Sequence, residues 1–302
     1  MGAADVVPGA SGGTIAFITG IYQELIDSLR NCNLKALSIF LQQGFSAAWQ
    51  HINGTFLVSL FAGVLLSIFS LARIVTYCLD AWPIAVWSFF FGLVLAASVH
   101  LSRQIANWSA PLVSSLLVGM VLALLIGDIK PTELPTDWWV FMLAGSIAVC
   151  AMILPGVSGG FLLLMMGLYQ PVLLAVSEFN ITVLASLMVG CVIGLLAFSH
   201  FLSWLLHSFH AMTMACLTGF LLRSLSQLWP WKVTLTSVLD RHGESRALVQ
   251  ELVLPFNFQE ITGFSSQLPL AIALCVLAIV LVFVLEALSN KKTTEENVSA
   301  KL

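Results

Sequence analysis

The sequence predicts an all-α polytopic membrane protein made of two inverted-topology repeats, each a broken, re-entrant helical hairpin followed by three transmembrane helices. Two observations carry this prediction. Hydrophobic residues make up 59% of the 302 residues and charged residues only 9%, whereas about a quarter of an ordinary soluble domain is charged. In addition, one phrase occurs twice, as PGASGGTIAFITGIYQ at residues 8–23 and as PGVSGGFLLLMMGLYQ at residues 155–170.

The two copies of this phrase align without a gap and agree at half of their positions. The identical pairs are Pro8/Pro155, Gly9/Gly156, Ser11/Ser158, Gly12/Gly159, Gly13/Gly160, Gly20/Gly167, Tyr22/Tyr169 and Gln23/Gln170. Further matches follow at a constant offset of 127 residues, among them Gly63 with Gly190 and Gly92 with Gly219. Repetition over this length indicates a fold made of two copies of one unit.

The first repeat is predicted over residues 1–136. Its hairpin contains the first phrase, with a helix over residues 14–29, and an amphipathic surface helix is expected within residues 30–54. The three spans that follow are predicted near residues 55–79, 82–100 and 110–128. Each is long enough to cross a bilayer, which takes about 20 apolar residues.

The second repeat is predicted over residues 137–288. Residues 138–176 carry no charge and are too many for one span, and LPGVSGG interrupts them in the middle. Proline and paired glycines break a helix, so this stretch is predicted to form a helical hairpin with the phrase at its tip. The spans that follow are predicted near residues 181–206, 207–228 and 268–288, before a tail at residues 289–302.

The two hairpins are expected to enter the membrane from opposite sides, because three spans separate them. Basic residues concentrate in cytoplasmic loops of membrane proteins. With the C-terminus inside, the cytoplasmic basic residues are Arg30, Lys35, Arg103, Lys291, Lys292 and Lys301. Hairpin 1 then opens to the cytoplasm and hairpin 2 to the exterior, with a cytoplasmic tail.

Composition and motifs exclude several other classes of protein. A net charge of -3 gives no reason to expect a nucleic-acid partner. The six cysteines lie mostly in apolar runs without a C-x-x-C pair, so we expect small core residues rather than a metal site or disulfides. The phrase lacks the lysine of a nucleotide-binding loop. No cofactor is expected.

The repeated phrase is the candidate anion site. The first amides of a helix have no acceptor within the helix, and the helix dipole makes that end partly positive. Two such ends facing each other near the middle of the membrane would hold an anion. The candidate residues are Ser11, Gly12, Gly13, Thr14, Ser158, Gly159 and Gly160. The alternative is that these small residues only allow helices to pack closely.

Charges within the spans are the second candidate feature, because a central Arg or Asp costs about 2.5–3.5 kcal/mol on insertion scales. Arg73 and Arg223 fall toward the outer ends of their spans and would bind an anionic headgroup, arginine offering a forked phosphate contact. The alternative is that they extend to the interface. His200, which corresponds to Arg73 in the second repeat, lies toward the inner end of its span. It would either bind the headgroup there or pack between helices.

Six further positions are candidates for ion coupling or for shaping the site. Asp5 lies three residues before the phrase and would carry a coupling proton, hold an arginine, or cap a helix. Glu24 is a weaker candidate at the cytoplasmic interface. Tyr22, Gln23, Tyr169 and Gln170 line the cavity or serve packing.

The first phrase with its flanks, MGAADVVPGASGGTIAFITGIYQELI, resembles the opening of the PopT-type polyprenyl-phosphate translocases, formerly a domain of unknown function. LPGVSGGFLLLMMGLYQ and TGFLLRSLSQLWPWK, at residues 218–232, are similar to that family too. The resemblance implies a bacterial cytoplasmic-membrane protein that returns undecaprenyl phosphate from the outer to the inner leaflet. Similar proteins usually have an apolar segment before the first phrase, which is nearly absent here.

Three functions remain in view from the sequence. The first is a lipid-phosphate flippase working by alternating access, with proton coupling through Asp5. The second is a secondary transporter of a small soluble anion, which the same site at the two helix ends would bind. The third, a membrane lipid phosphatase, needs a nucleophilic histidine, and neither phrase contains one. The oligomeric state stays open between monomer and homo-oligomer, because Gly63, Gly92, Gly190 and Gly219 suit packing within or between subunits.

Overall fold

The computed structural model describes residues 1–5, 11–105, 107–127, 134–239 and 245–299, and the side chains of these residues except 234–250, 285 and 288–299. The chain is 82% helical, which agrees with the predicted all-α class. In the first half the helices are α1 (Gly2–Asp5), α2 (Gly12–Ile18), α3 (Tyr22–Asn31), α4 (Leu34–Gln43), α5 (Phe45–His51), α6 (Gly54–Ala81), α7 (Pro83–Gln104) and α8 (Ala110–Gly127).

The second half has the same order of elements, except that it has no counterpart of α4 and α5 and contains two strands and a short helix before its last helix. Its elements are α9 (Trp138–Ile153), α10 (Gly159–Met165), α11 (Tyr169–Ser177), α12 (Ile181–Ser208), α13 (His210–Gln227), β1 (Lys232–Leu239), β2 (Ser245–Leu252), α14 (Pro255–Thr262) and α15 (Leu268–Ser299). The antiparallel pair of β1 and β2 is a departure from the all-α prediction. The sequence KVTLTSVL explains it, because β-branched residues favour strands.

The chain is a multi-pass membrane protein. Among the described residues, α6, α7, α8 and α12 are long and apolar enough to cross a membrane, and α10 with α11 makes a fifth span if that bent pair is counted as one. The predicted span 207–228 forms α13, which is not among these four. The span predicted near 268–288 forms the start of a longer helix, α15, whose Leu268–Val284 part is apolar.

The two halves share element lengths and packing partners. Helices α2 and α10 both have seven residues, and α6 and α12 both have 28. Helix α7 packs on α15 and α8 packs on α13, and exchanging the two halves converts one pair into the other. Helices α7 and α13 meet at the centre, where Val94, Ala97 and Leu221 are fully buried. The inverted orientation of the halves stays a prediction.

Each copy of the phrase bends at its fourth shared glycine, Gly20 or Gly167. Gly20 and Gly167 have left-handed backbone, with φ of 74° and 71°. The closing hydrogen bonds are Gly20 N to Phe17 O and Ile21 N to Ala16 O in the first copy, and Gly167 N to Leu164 O and Leu168 N to Leu163 O in the second. This is the Schellman ending of a helix. The helix predicted over residues 14–29 is therefore two helices, and α10 and α11 meet at 105°.

Glycines let several helices pack backbone to backbone within the chain. A Cβ on Gly92 would lie 2.4 Å from the Cys275 carbonyl oxygen, and one on Gly219 would lie 2.2 Å from that of Leu116. The same contact joins α12 to α9 at Gly190, whereas its repeat mate Gly63 has open space around it. Three of the four glycines left open by the sequence thus serve packing inside one chain.

We expect Gly190→Ala to destabilise the protein and Gly63→Ala to leave its stability unchanged or slightly raised. A Cβ at Gly190 would lie 1.9 Å from the Met142 carbonyl oxygen, so the α9–α12 pair must separate, at a typical overpacking cost of about 1–3 kcal/mol. At Gly63 only the higher helix propensity of alanine acts. Thermal unfolding of both variants in one detergent measures the difference. Equal melting temperatures would contradict this account of the α9–α12 contact.

Candidate functional site

The two copies of the phrase touch each other through Ser11. Its buried hydroxyl accepts a hydrogen bond from the Gly156 amide at 3.1 Å and donates to the Leu154 carbonyl at 3.5 Å. The same oxygen accepts from the Thr14 amide at 3.4 Å, which makes Ser11 the N-cap of α2. The Thr14 hydroxyl also lies 3.4 Å from this oxygen. A hydroxyl offers only one donor and two acceptor sites, so these neighbours are enough to occupy all of them. Its role here is to join the two hairpin tips.

Tyr22, in the first half of the chain, adds a second contact between the two halves beside Ser11. Its hydroxyl donates to the Ile153 carbonyl at 3.1 Å, and its ring stacks on Phe17 with centroids 3.7 Å apart. Tyr22 is buried, which favours packing between the halves among the two roles expected for it. Tyr169, its repeat mate, is half-buried.

The start of α2 is already occupied by a carboxylate of the chain itself. The Gly12 amide donates to Asp5 Oδ1 at 2.6 Å. A carboxylate at this end of a helix is stabilised by the exposed amides and by the dipole. An anionic ligand at α2 would therefore meet a negative charge unless Asp5 is protonated or moves away.

Close packing accounts for three of the four glycines in the two Gly-Gly pairs, Gly12–Gly13 and Gly159–Gly160. A Cβ on Gly12 would lie 2.7 Å from the Asp5 carboxylate, one on Gly13 would lie 2.9 Å from the Ile153 carbonyl oxygen, and one on Gly159 would lie 2.4 Å from that of Ala148. The fourth, Gly160, has open space, its nearest neighbour being the Ser158 hydroxyl at 3.9 Å.

The second phrase and Arg223 line one narrow cavity. Ser158 and Gly156 form one wall, and Arg223 with Gln227 from α13 forms another. Its volume is about 10 Å³, roughly the room of one water molecule. Arg223 also donates to the Ser226 hydroxyl. A forked cation, a hydroxyl and the start of α10 thus surround one small space, which must widen to admit a phosphate.

A larger, apolar cavity lies between the two halves. Its volume is about 350 Å³, and Asp5 is the charged residue among those that line it, with Gly12 beside it. Val64 of α6 faces its repeat mate Cys191 of α12 across this space, and Met152, the repeat mate of Asp5, lines it too. The cavity therefore joins corresponding surfaces of the two repeats, with a carboxylate at one end.

Several predicted site residues lie outside both cavities. Arg73 is exposed on α6, and His200 is exposed on α12 with Nδ1 2.8 Å from the Leu196 carbonyl oxygen. Glu24 accepts a hydrogen bond from Asn53 at 2.8 Å. Gln23 and Gln170 are also exposed. The structure does not bring these five residues to the contact between the two hairpin tips.

One polar cluster was not predicted from the sequence. Ser203 on α12 is fully buried and donates to Asp27 of α3 at 2.6 Å, while Arg30 donates to the same hydroxyl at 3.1 Å. His207 lies 3.9 Å from the Asp27 carboxylate. Ser203 is more than 170 positions away from Asp27 and Arg30 in the chain, so no local sequence pattern indicates the cluster. It ties the first hairpin to a span of the second half.

Comparison with known proteins places this architecture in a family. Residues 1–246 match the model of the undecaprenyl phosphate translocase-like family. A polyprenyl-phosphate transporter of Vibrio cholerae serotype O1 is 46% identical over 291 residues, which are 96% of this chain and 94% of that protein. A polyprenyl-phosphate transporter of Staphylococcus aureus is 31% identical over 249 residues, 76% of this chain and 83% of that protein. No solved structure matches significantly.

Both relatives are named for transport rather than for catalysis, and the matched region contains both copies of the phrase. It also contains the junction at Ser11 and the cavity at Arg223. The chain is a transport protein and belongs to the undecaprenyl phosphate translocase-like family.

Proposed function

We propose that this protein carries a polyprenyl phosphate, undecaprenyl phosphate, from the outer to the inner leaflet of the bacterial cytoplasmic membrane, so that the lipid carrier is used again. The names of the family and of two relatives support the substrate class. Hairpin 1 opens to the cytoplasm and hairpin 2 to the exterior, and the C-terminus is cytoplasmic. The loop charges support this orientation.

The contact between the two tips is the observation that carries the proposal. Ser11 joins the tips, the Arg223 cavity lies on the side of the second tip, and the apolar cavity lies beside the first. The phosphate binds Arg223, Ser158 and the start of α10, since a guanidinium and helix amides both favour phosphate. Part of the polyprenyl chain lies in the apolar cavity, and the remainder stays in the bilayer.

Transport then proceeds by alternating access. The space beside Arg223 is about 10 Å³, so the second hairpin and α13 must separate to accept a phosphate from the outside. Release to the inside requires the first hairpin to move from α12, to which the Asp27–Ser203 hydrogen bond holds it. Inverted repeats provide two such alternatives because each half can adopt the arrangement of the other.

Asp5 couples this movement to a proton. Its carboxylate occupies the start of α2 and faces the apolar cavity, where an approaching phosphate would be repelled by a like charge. Protonation removes that charge and weakens the hold of Asp5 on the Gly12 amide. The proton therefore enters with the lipid and leaves when Asp5 caps α2 again.

Reconstitution in vesicles with labelled undecaprenyl phosphate tests this proposal. The wild-type protein is expected to move the lipid between leaflets faster when a pH gradient is imposed. Asp5→Asn, which cannot carry a proton, is expected to lose that acceleration and to keep residual exchange. Asp137→Asn is the control, because Asp137 is exposed at the start of α9.

Two results would contradict the proposal. If the wild type transports inorganic phosphate but not the lipid, the protein is a soluble-anion carrier. If Asp5→Asn and Asp137→Asn respond to the gradient like the wild type, Asp5 is only a helix cap.

A further inference from the structure

Lys232 is a half-buried cation that the transport proposal leaves without a role. It is the first residue of β1, directly after the Trp-Pro-Trp segment. Its ammonium lies 3.7 Å from the centroid of the Trp87 ring and donates to the backbone carbonyl of Gln227. Burial lowers the pKa of Lys232 to about 8. Among the described side chains, no carboxylate oxygen lies within 4.0 Å of this ammonium.

An ammonium in this position is suited to receive an anion. It has three donors, and the Gln227 carbonyl takes one of them. The Trp87 ring attracts the cation, but neither a ring nor a carbonyl neutralises a charge. Buried charges are usually paired, so a ligand with negative charge would complete the surroundings of Lys232.

An apolar cleft of about 180 Å³ lies between α7, α15 and the Trp-Pro-Trp segment, and Trp231, the residue directly before Lys232, lines it. Phe91, one helical turn from Trp87, lines it and meets Trp229 with ring centroids 5.7 Å apart. Ile272 and Val276 line the other wall and are about half exposed. The cleft therefore opens on the side of the protein, where a lipid chain can enter it from the bilayer.

Gln227 connects this region with the Arg223 cavity. Its backbone carbonyl accepts from Lys232, and its side chain lines the cavity together with Arg223. Gln227 Nε2 and Arg223 Nη2 lie 3.4 Å and 3.8 Å from the position that a Cβ on Gly127 would take. Gln227 therefore lies between Lys232 and Arg223. A phosphate that leaves Lys232 has to pass only this residue before it contacts Arg223.

We propose that Lys232 and the aromatic cleft form an outer docking site for the lipid substrate, in which the phosphate contacts Lys232 and the start of the polyprenyl chain lies between Phe91, Trp229 and Ile272. This inference rests on the proposed function and adds a first binding step to it. The phosphate passes from Lys232 to Arg223 when the second hairpin opens.

Binding to the purified full-length protein in nanodiscs tests the docking site, with undecaprenyl phosphate, undecaprenol and phosphatidylglycerol as separate probes. Lys232→Gln is expected to weaken binding of undecaprenyl phosphate about tenfold, the loss of one charge-assisted hydrogen bond. Binding of undecaprenol should not change, because it has no phosphate. Lys232→Arg should keep most of the affinity. Lys35→Gln, on the exposed helix α4, is the control for a lost surface charge.

The cleft has its own pair of variants. Ile272→Trp fills the cleft and is expected to weaken binding of both undecaprenyl phosphate and undecaprenol. Leu270→Trp is the matched control, since Leu270 is exposed on the same helix and does not line the cleft. Neither substitution touches a buried residue, so both variants are expected to fold.

Different results would overturn different claims. Unchanged binding in Lys232→Gln, with normal lipid transport by the wild type, rejects the docking site and leaves the proposed function standing. Equal affinity of the wild type for phosphatidylglycerol and undecaprenyl phosphate also rejects it, in favour of a general contact with anionic lipids. Failure of the wild type both to bind and to move undecaprenyl phosphate rejects the proposed function as well.

Discussion

Replacing Arg223 by glutamine is expected to reduce transport of undecaprenyl phosphate by roughly 30-fold to 4,000-fold. Arg223 lines the same narrow cavity as Ser158 and Gly156, and glutamine cannot supply a charge to the phosphate there. Losing one partner of a buried, hydrogen-bonded charge pair costs about 2–5 kcal/mol, and each 1.4 kcal/mol is about a factor of ten. Initial rates of lipid transfer in reconstituted vesicles measure the effect.

Arg73→Gln is the matched comparison, because Arg73 also occupies a span but is exposed on α6 and lines neither cavity. We expect it to keep at least about half of the wild-type rate, the range of a surface substitution. Both variants should be inserted and unfold at similar temperatures. Equal loss in the two variants would assign headgroup capture to Arg73 as well and would contradict the special place of the Arg223 cavity.

The sequence was most informative where a signal is local. Hydropathy over about 20 residues located the spans that form α6, α7, α8 and α12, because a bilayer demands that length of apolar helix. The repeated phrase located both tips, and the rarity of arginine in a span singled out Arg223. These properties can be read from neighbouring residues without knowing how distant parts of the chain meet.

Features that depend on distant contacts were missed. Ser11 was predicted as a phosphate ligand from the phrase alone, and only the folded chain shows that its hydroxyl also bonds to the second tip. The hydrogen bond of Ser203 with Asp27 spans 176 positions, and only the packing of α3 on α12 creates it. The bends at Gly20 and Gly167 were visible in principle, because both copies keep this glycine. A shared glycine outside the tip is a signal of left-handed backbone.

The predicted anion site at two facing helix ends must also be revised, because the two ends differ in charge. The sequence treats the two ends as equivalent, but Asp5 has Met152 as its repeat mate, so only the first end carries a carboxylate. Arg223 has no basic counterpart at the matching position of the first half, which is Ala96. Negative charge thus lies at the first tip and positive charge near the second. This asymmetry supports the proposal that the phosphate binds at the second tip and the proton at the first.

Gly156→Ala is the second change with a large expected effect, and it should destabilise the protein and abolish transport. Gly156 has φ of 80°, and a Cβ there would lie 2.7 Å from both Cβ and Oγ of Ser224 on α13. The left-handed backbone costs an alanine about 1–2 kcal/mol, and the overlap with α13 adds about 1–3 kcal/mol. Thermal unfolding in detergent and the vesicle transfer assay measure both consequences.

A second substitution separates the two costs. Gly20→Ala has nearly the same φ, 74°, but open space around it, so it should show the backbone cost alone. Ser224→Gly removes the two atoms that Gly156→Ala would strike, and the double variant should therefore recover the part of the stability lost to the overlap. If Ser224→Gly restores nothing, the second tip does not close on α13 as described. Recovery of stability without recovery of transport would instead show that Ser224 itself is needed beside Arg223 when the cavity opens.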